Sequence, residues 1–152
     1  MNRRAHQRGV TLIELVVSIV IIGIAVSAVL GVFTMTTQRS ADAMVRQQAV
    51  AVAEAYLEEI LLKPFADPDG ANGETRRTDF DDIEDYNGLD DATGACDQFG
   101  NPIDGLQSYR VDVRVEQGAL NGLPANDVRR VDVRVRHVTG LTLRLSGYRT
   151  RY

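Results

Sequence analysis

The stretch VTLIELVVSIVIIGIAVSAVLGVF, residues 10–33, decides the architecture of this 152-residue chain. It contains one charged side chain, Glu14, and it is longer than the roughly 20 residues that a helix needs to cross a bilayer. Three arginines precede it in residues 1–9, and positive charge before a span predicts that this end stays in the cytoplasm. We therefore expect a single-pass helix in the bacterial inner membrane, with the chain beyond residue 34 outside it.

Two simpler explanations of this run stay open at this point. A secretory signal peptide would have an apolar region of only about 7–15 residues. A plain membrane anchor explains everything except Glu14, since a charge inside a span costs at least about 2.5–3.5 kcal/mol on insertion scales. Glu14 is therefore either a carboxylate that reaches water at the membrane edge or a functional group.

Composition excludes several function classes. Cys96 is the only cysteine, so the chain forms no intramolecular disulfide and no cysteine-rich zinc site. Two histidines, His6 and His137, are too few for a histidine metal centre, and the common nucleotide-binding and hydrolase patterns are missing. We expect no enzymatic activity, no cofactor and no small-molecule substrate.

A second helical stretch follows the apolar run, in residues 38–62. It lacks proline and glycine, and its apolar residues recur at helical spacing. These residues are Val45, Ala49, Val52, Tyr56 and Ile60. Glu59 and Lys63 stand four apart, which favours an ion pair, and Pro64 ends the helix. The sequence predicts one helix over residues 10–62 whose second half covers a sheet.

Residues 64–105 are predicted to form an acidic loop region. Residues 67–104 hold twelve acidic side chains against Arg76 and Arg77. We call residues 34–152 the head. We expect the apolar residues of the loop to anchor it on the rest of the head, namely Phe65, Phe80, Ile83, Tyr86, Leu89 and Phe99. Asp67 and Asp69 are weak calcium candidates, but the EF-hand pattern is absent, so the expectation is a solvated acidic surface without metal. Cys96 is expected to be a semi-buried or unpaired thiol.

Three segments of residues 106–152 alternate between apolar and polar residues, as half-buried antiparallel strands do. The apolar rows are Tyr109 to Val115, Val131 to Val135 and Leu141 to Leu145. The opposite face is rich in arginine but also carries acids and lacks interleaved aromatic residues, so we expect charge pairing or solvation and no nucleic acid.

Residues Arg8 to Leu15, RGVTLIEL, closely resemble the processing motif of type IV prepilins. The resemblance implies cleavage between Gly9 and Val10 by a prepilin peptidase, followed by N-methylation at Val10. It also implies that Glu14 meets the N-terminal amine of a neighbouring subunit during assembly. Members of the family most often have phenylalanine where this chain has Val10. Residues 40–70 and 80–89 resemble the minor pilins of MSHA (mannose-sensitive haemagglutinin) pili.

Gly23, Ser27 and Gly31 recur every four residues and form a stripe of small residues on the helix. Such stripes let two helices approach closely in a membrane or a bundle. We therefore expect this face to pack against other pilin helices, although glycine and serine are also frequent in membrane spans.

The expected protein is an α+β pilin-like subunit with a long N-terminal helix packed on a small antiparallel sheet of about three strands. Its predicted segments are the leader (1–9), the membrane and assembly half of the helix (10–33), the amphipathic half (34–63), the acidic loop (64–105) and the sheet (106–152). The expected function is that of a minor pilin in an MSHA-like type IV pilus, with prepilin peptidase and other pilins as partners. A type II secretion pseudopilin and an uncleaved, membrane-anchored periplasmic binding protein are the alternatives.

Overall fold

The computed structural model describes residues 11–70, 74–120 and 122–151, with residues 35–41 as backbone only. Helix α1 spans Leu12–Leu61, and four strands follow, β1 (Asp90–Asp91), β2 (Tyr109–Gln117), β3 (Val128–His137) and β4 (Thr142–Thr150). Short 3₁₀ turns lie at Arg77–Asp79, Glu84–Tyr86 and Ala125–Asp127. The predicted α+β pilin-like architecture is confirmed. The chain divides into two compact units between Ala43 and Met44.

The second unit is built on the C-terminal part of α1 and the sheet. Strands β1 to β4 form an antiparallel meander in sequence order. The valines of β2 and β3 that face α1 are fully or almost fully buried, and α1 contributes Ala49, Val52, Ala53, Tyr56 and Ile60 to the same core. This is the stripe predicted from helical spacing, with Val45 packed at its margin. The helix ends at Leu61, shortly before Pro64, as its sequence predicts.

The sheet has one strand more than the alternating pattern predicts. Asp90 and Asp91 of the acidic region pair with Asp112 and Val111 of β2. A strand of two residues is too short to display an alternation, so periodicity had no means of finding it.

The acidic region is held to the head by most of its predicted anchors. Phe65, Phe80, Ile83 and Tyr86 are buried, and Leu89 packs against the core. The prediction for Phe99 is wrong, since 59% of this residue is exposed. Phe99 belongs to the turn between Asp97 and Asn101, whose backbone hydrogen bonds turn the chain outside the core.

The predicted Glu59–Lys63 ion pair is also wrong. The ammonium of Lys63 donates a hydrogen bond to the carbonyl oxygen of Phe80 at 2.6 Å, while Glu59 binds Arg77. Phe80 and Arg77 of the acidic region therefore take the place of the local Glu59–Lys63 pair. They supply hydrogen bonds to both side chains where these are partly buried.

Candidate functional site

Helix α1 begins with a capping arrangement at the predicted assembly residue. Thr11 precedes the first helical residue, and its Oγ1 accepts a hydrogen bond from the backbone N–H of Glu14 at 3.4 Å. Threonine followed three residues later by glutamate is the sequence signature of a capping box. A negative charge in the first turn also stabilises the helix, because it interacts favourably with the helix dipole. The T-x-x-E spacing at residues 11–14 was sufficient to predict this cap, in which the observed bond is made by the backbone of Glu14.

The segment Leu12–Thr34 is long and apolar enough to cross a membrane. Its described side chains are exposed within the chain, and its hydroxyl groups are already satisfied. Ser18 donates to the carbonyl oxygen of Glu14 at 2.7 Å, Ser27 to that of Gly23 at 2.8 Å, and Thr34 to that of Gly31 at 2.9 Å. With its hydroxyls bonded to its own backbone, the helix presents an apolar surface that suits lipid or other helices.

Glu14 is the only charged residue of this segment. In the part of the chain that the structure describes, its carboxylate has no ion-pair partner. The predicted cleavage residues Gly9 and Val10 lie outside the described residues. The structure therefore shows an unpaired acid near the start of an exposed apolar helix.

The predicted packing stripe lies on an open helix face. A methyl group added at Gly23 or Gly31 would meet no atom within 4 Å. Ser27 lies between them and bonds to Gly23, so the stripe offers no free polar group to a neighbour. Its packing role stays a prediction, since no second helix contacts it among the described residues.

The head contains a buried ionic network centred on Arg77, which the sequence analysis did not single out. Its guanidinium forms two hydrogen bonds to Glu59 of α1, at 2.8 and 3.2 Å, and a third to Asp91 of β1, at 2.9 Å. Tyr86 donates to the same Glu59 carboxylate at 2.8 Å. Burial opposes the charge of Arg77, but hydrogen bonds to Glu59 and Tyr56 outweigh it and raise its pKa. Arg77 thus connects the helix, the acidic region and the sheet edge.

Tyr56 of α1 also belongs to this network, through contacts with Asp91 and Arg77. Its hydroxyl donates to Asp91 at 2.5 Å and accepts the backbone N–H of Cys96 at 2.6 Å, and Arg77 lies 4.5 Å from the centre of its ring. Burial and the Asp91 carboxylate raise the pKa of Tyr56. Cys96 is a buried free thiol, as predicted, and burial raises its pKa, so it is not an activated nucleophile. The network is therefore structural in character.

The structure brings Asp67 together with Asp81 and Asp82 rather than with Asp69. Carboxylate oxygens of these three residues lie within 4.8 Å of one another. Oδ1 of Asp67 accepts two backbone N–H groups of its own turn, and Oδ1 of Asp82 accepts those of Glu84 and Asp85. Burial and neighbouring carboxylates raise the pKa of Asp82. The acids mainly cap turns, which explains their density in this loop.

The arginines of the outer sheet face pair mostly with acids of the same sheet. Asp112 lies 2.9 Å from the guanidinium of Arg136 and 3.7 Å from that of Arg134. Arg130 pairs with Glu116 and Asp132. Arg129, which belongs to the other row of β3, pairs with Glu84 of the acidic region. The face is thus a ladder of alternating charges rather than a uniform basic surface.

Comparison with known proteins identifies one family model. The prokaryotic N-terminal methylation motif matches residues 4–30, the part of the chain that contains Gly9, Val10 and Glu14. This motif is characteristic of prepilin-like proteins of the type IV pilin or pseudopilin kind, a family that is structural rather than enzymatic. It implies processing by a prepilin peptidase and assembly with other pilins, and with the apolar helix it fits membrane anchoring. No curated protein and no solved structure matches the chain significantly.

Proposed function

We propose that this chain is a minor pilin, a low-copy structural subunit of an MSHA-like type IV pilus. The precursor is cleaved between Gly9 and Val10, the new terminus is N-methylated, and α1 carries the subunit from the inner membrane into the filament. One observation carries the proposal. A methylation motif over residues 4–30 coincides with an exposed apolar helix whose only charge, Glu14, lies five residues after Gly9.

The assembly step follows from the electrostatics of that helix. After cleavage, Val10 would carry an ammonium group, and Glu14 carries a carboxylate. Each charge is costly alone in an apolar filament core, and pairing between subunits offsets that cost. The pair then sets the axial register of one helix against the next, while the Gly23, Ser27 and Gly31 face permits close approach.

The choice of an MSHA-like pilus rests on residues 40–70 and 80–89, which resemble the minor pilin MshD. The motif is shared with type II secretion pseudopilins, so the location of the assembled subunit separates the two. Sheared surface filaments that contain the chain support the pilus, and its restriction to a secretion complex would replace the proposal by the pseudopilin.

Processing is tested by co-expressing the chain with a prepilin peptidase and measuring the intact mass. We expect loss of residues 1–9 from the unaltered chain and retention of the leader in Gly9→Ala, since a side chain at the cut site hinders access of the peptidase to the backbone. Gly23→Ala is the matched control and should be processed normally. A full-length product from the unaltered chain would instead indicate an uncleaved anchored protein and overturn the proposal.

A further inference from the structure

Strand β4 forms an open edge of the sheet. It pairs with β3 along its length, from Val128 opposite Thr150 to Arg136 opposite Thr142. Its other side has no strand partner within residues 11–70, 74–120 and 122–151. The sequence of β4, TLRLSGYRT, contains no proline. The strand therefore presents a regular row of backbone N–H and C=O groups that can pair with a further strand.

An apolar groove adjoins this open edge. Val131, Val133 and Val135 of β3 are fully buried, whereas Leu143 and Leu145 of β4 are only partly covered. Between β4 and α1 lies a cavity of about 340 Å³, lined by Leu57, Leu61, Leu62 and Leu145 together with Glu54 and Glu58. Leu62 is 78% exposed. Apolar side chains of an added strand would cover these leucines.

Gly147 allows two leucines of α1 to pack directly on β4. It stands at the centre of the inward-facing row of β4, directly opposite Val131. A Cβ at this position would lie 2.9 Å from Leu61 and 3.0 Å from Leu57, so the side chains of these leucines occupy the space beside Gly147. After Leu145, the inward row of β4 contributes no further apolar side chain, because its next two members are Gly147 and Arg149.

Two arginines of β4 indicate the charge of the missing neighbour. Arg144 lies directly opposite Arg134, and Arg149 lies opposite Arg129. The two β3 arginines have carboxylate partners, Asp112 and Glu84. Arg144 and Arg149 make no ion pair with any residue that the structure describes, and Nε of Arg149 is buried without a hydrogen-bond partner. Like charges on paired strands are unfavourable, and an acid on the next strand would offset them.

We propose that the outer edge of β4 binds an extended segment of a partner protein in which two acids five positions apart flank alternating apolar residues. The spacing follows from the strand, because Arg144 and Arg149 are five apart and point to opposite faces. The apolar residues would lie beside Leu145 and Gly147. A second copy pairing through its own β4 is a poor occupant, since that strand, TLRLSGYRT, contains no acid to pair with these arginines.

The test uses the full chain in detergent and a synthetic nine-residue peptide. The peptide has acids opposite Arg144 and Arg149 and valines at the remaining inward positions, and a second peptide has lysines in place of the acids. We expect the acidic peptide to bind and to protect backbone amides of β4 from hydrogen exchange. Arg144→Glu should weaken its binding by about 5- to 10-fold and strengthen binding of the lysine peptide, because attraction is exchanged for repulsion.

Arg110→Glu is the matched control, because it reverses an exposed arginine on β2, away from the open edge. It should change binding by less than about twofold. The proposal is overturned if neither peptide binds, if Arg110→Glu has the same effect as Arg144→Glu, or if binding leaves the β4 amides unprotected. Protection of β4 that rises with protein concentration in the absence of peptide would instead identify a second copy as the occupant and would also overturn it.

Discussion

At the residue scale, Glu14 lies in the first turn of α1, where Thr11 caps the helix, and it carries the only charge of the apolar segment. Its backbone N–H is held by Thr11, and its carboxylate is unpaired among the described residues. Glutamine is equally suited to the third position of a capping box, whereas alanine is not. Substitutions at this one residue therefore separate a capping role from a charge role.

We predict that Glu14→Gln and Glu14→Ala both leave membrane insertion intact and both lower incorporation into filaments by about tenfold or more, because an ammonium in the filament core would lose its partner. Incorporation is measured by quantitative immunoblotting of sheared filaments against the membrane pool. If Glu14→Gln assembles normally and only Glu14→Ala fails, the residue acts by capping the helix, and the charge-pairing account is wrong.

Arg77 holds two carboxylates of the folded head, those of Glu59 and Asp91. Its removal would leave the carboxylates of Glu59 and Asp91 partly buried without a cation, in a network where the Arg77 side chain is 4% exposed. We predict that Arg77→Met lowers the free energy of unfolding by about 3–5 kcal/mol, as breaking a buried ion pair does. Chemical denaturation of the full chain in detergent, followed by tyrosine fluorescence, measures the change.

The adjacent Arg76 provides the control for that experiment. Its side chain is 78% exposed and, among the described residues, forms an ion pair only with Asp79, so Arg76→Met should cost less than about 1 kcal/mol. Equal losses from the two substitutions would show that the network contributes no more than a surface pair.

Two aspartates of the acidic region should shift stability with pH in opposite directions. Burial and Asp85 raise the pKa of Asp82 above its ordinary value of 3.8, so its ionised form disfavours the fold at neutral pH. Hydrogen bonds from Asn101 lower the pKa of Asp97, so its ionised form favours the fold above that value. The sign follows from proton linkage.

We predict that Asp82→Asn raises the melting temperature at pH 7, and that this gain shrinks as the pH falls toward 3.8. Asparagine keeps the Oδ1 acceptor that Glu84 and Asp85 use. Asp97→Asn should lower the melting temperature at pH 7, with the loss shrinking as the pH falls below 3.8. Thermal melts of both variants between pH 3 and pH 7 check this, and parallel pH profiles would contradict the assigned roles.

At the scale of elements, the acidic region is shaped by close backbone approaches. Gly94 has a φ of +135°, and a Cβ there would lie 2.6 Å from Cα of Gln107. Gly100 also has a positive φ, but the nearest atom to its Cβ would be 3.6 Å away. A side chain at Gly94 would therefore meet both backbone strain and a steric clash, whereas one at Gly100 would meet backbone strain alone.

We predict that Gly94→Ala lowers the free energy of unfolding by about 2–4 kcal/mol, since strain and a backbone clash add. Gly100→Ala should cost only the strain, about 1–2 kcal/mol. Denaturation of the two variants under identical conditions gives the comparison. A smaller loss at Gly94 than at Gly100 would contradict the close packing of residues 94 and 107.

The elements that sequence could predict are those with long periodic patterns. The helix, its buried stripe and the three long strands each repeat over at least five residues, so their spacing alone reveals the buried face. The two-residue strand β1 and the exposed position of Phe99 depend on hydrogen bonds within turns, which leave no periodic signal. The Arg77 network joins residues 59, 77, 86 and 91, and no spacing rule connects those positions.

The candidate sites also differ in how far the sequence can predict them. The T-x-x-E start of α1 and the unpaired Glu14 are local and readable from eight residues, RGVTLIEL. The open edge of β4 is not, since it requires the strand order and the register that places Arg144 beside Arg134. Local chemistry is therefore visible in the sequence, whereas surfaces built from several strands become visible only in the fold.

At the scale of the whole molecule, the proposed cleavage after Gly9 would change the charge as well as the length. Loss of residues 1–9 removes three arginines and lowers the formal side-chain charge from −4 to −7. In the proposed mature protein the acidic region would dominate the charge, and the basic leader would act only in orienting and processing the precursor. This redistribution depends entirely on the position of the cut.

The most direct test of the account is N-terminal sequencing, with mass analysis, of the mature protein made in the presence of a prepilin peptidase. The account predicts a single terminus at Val10 whose mass includes one added methyl group. An intact Met1 terminus, or a cut at any position other than Gly9–Val10, would contradict it.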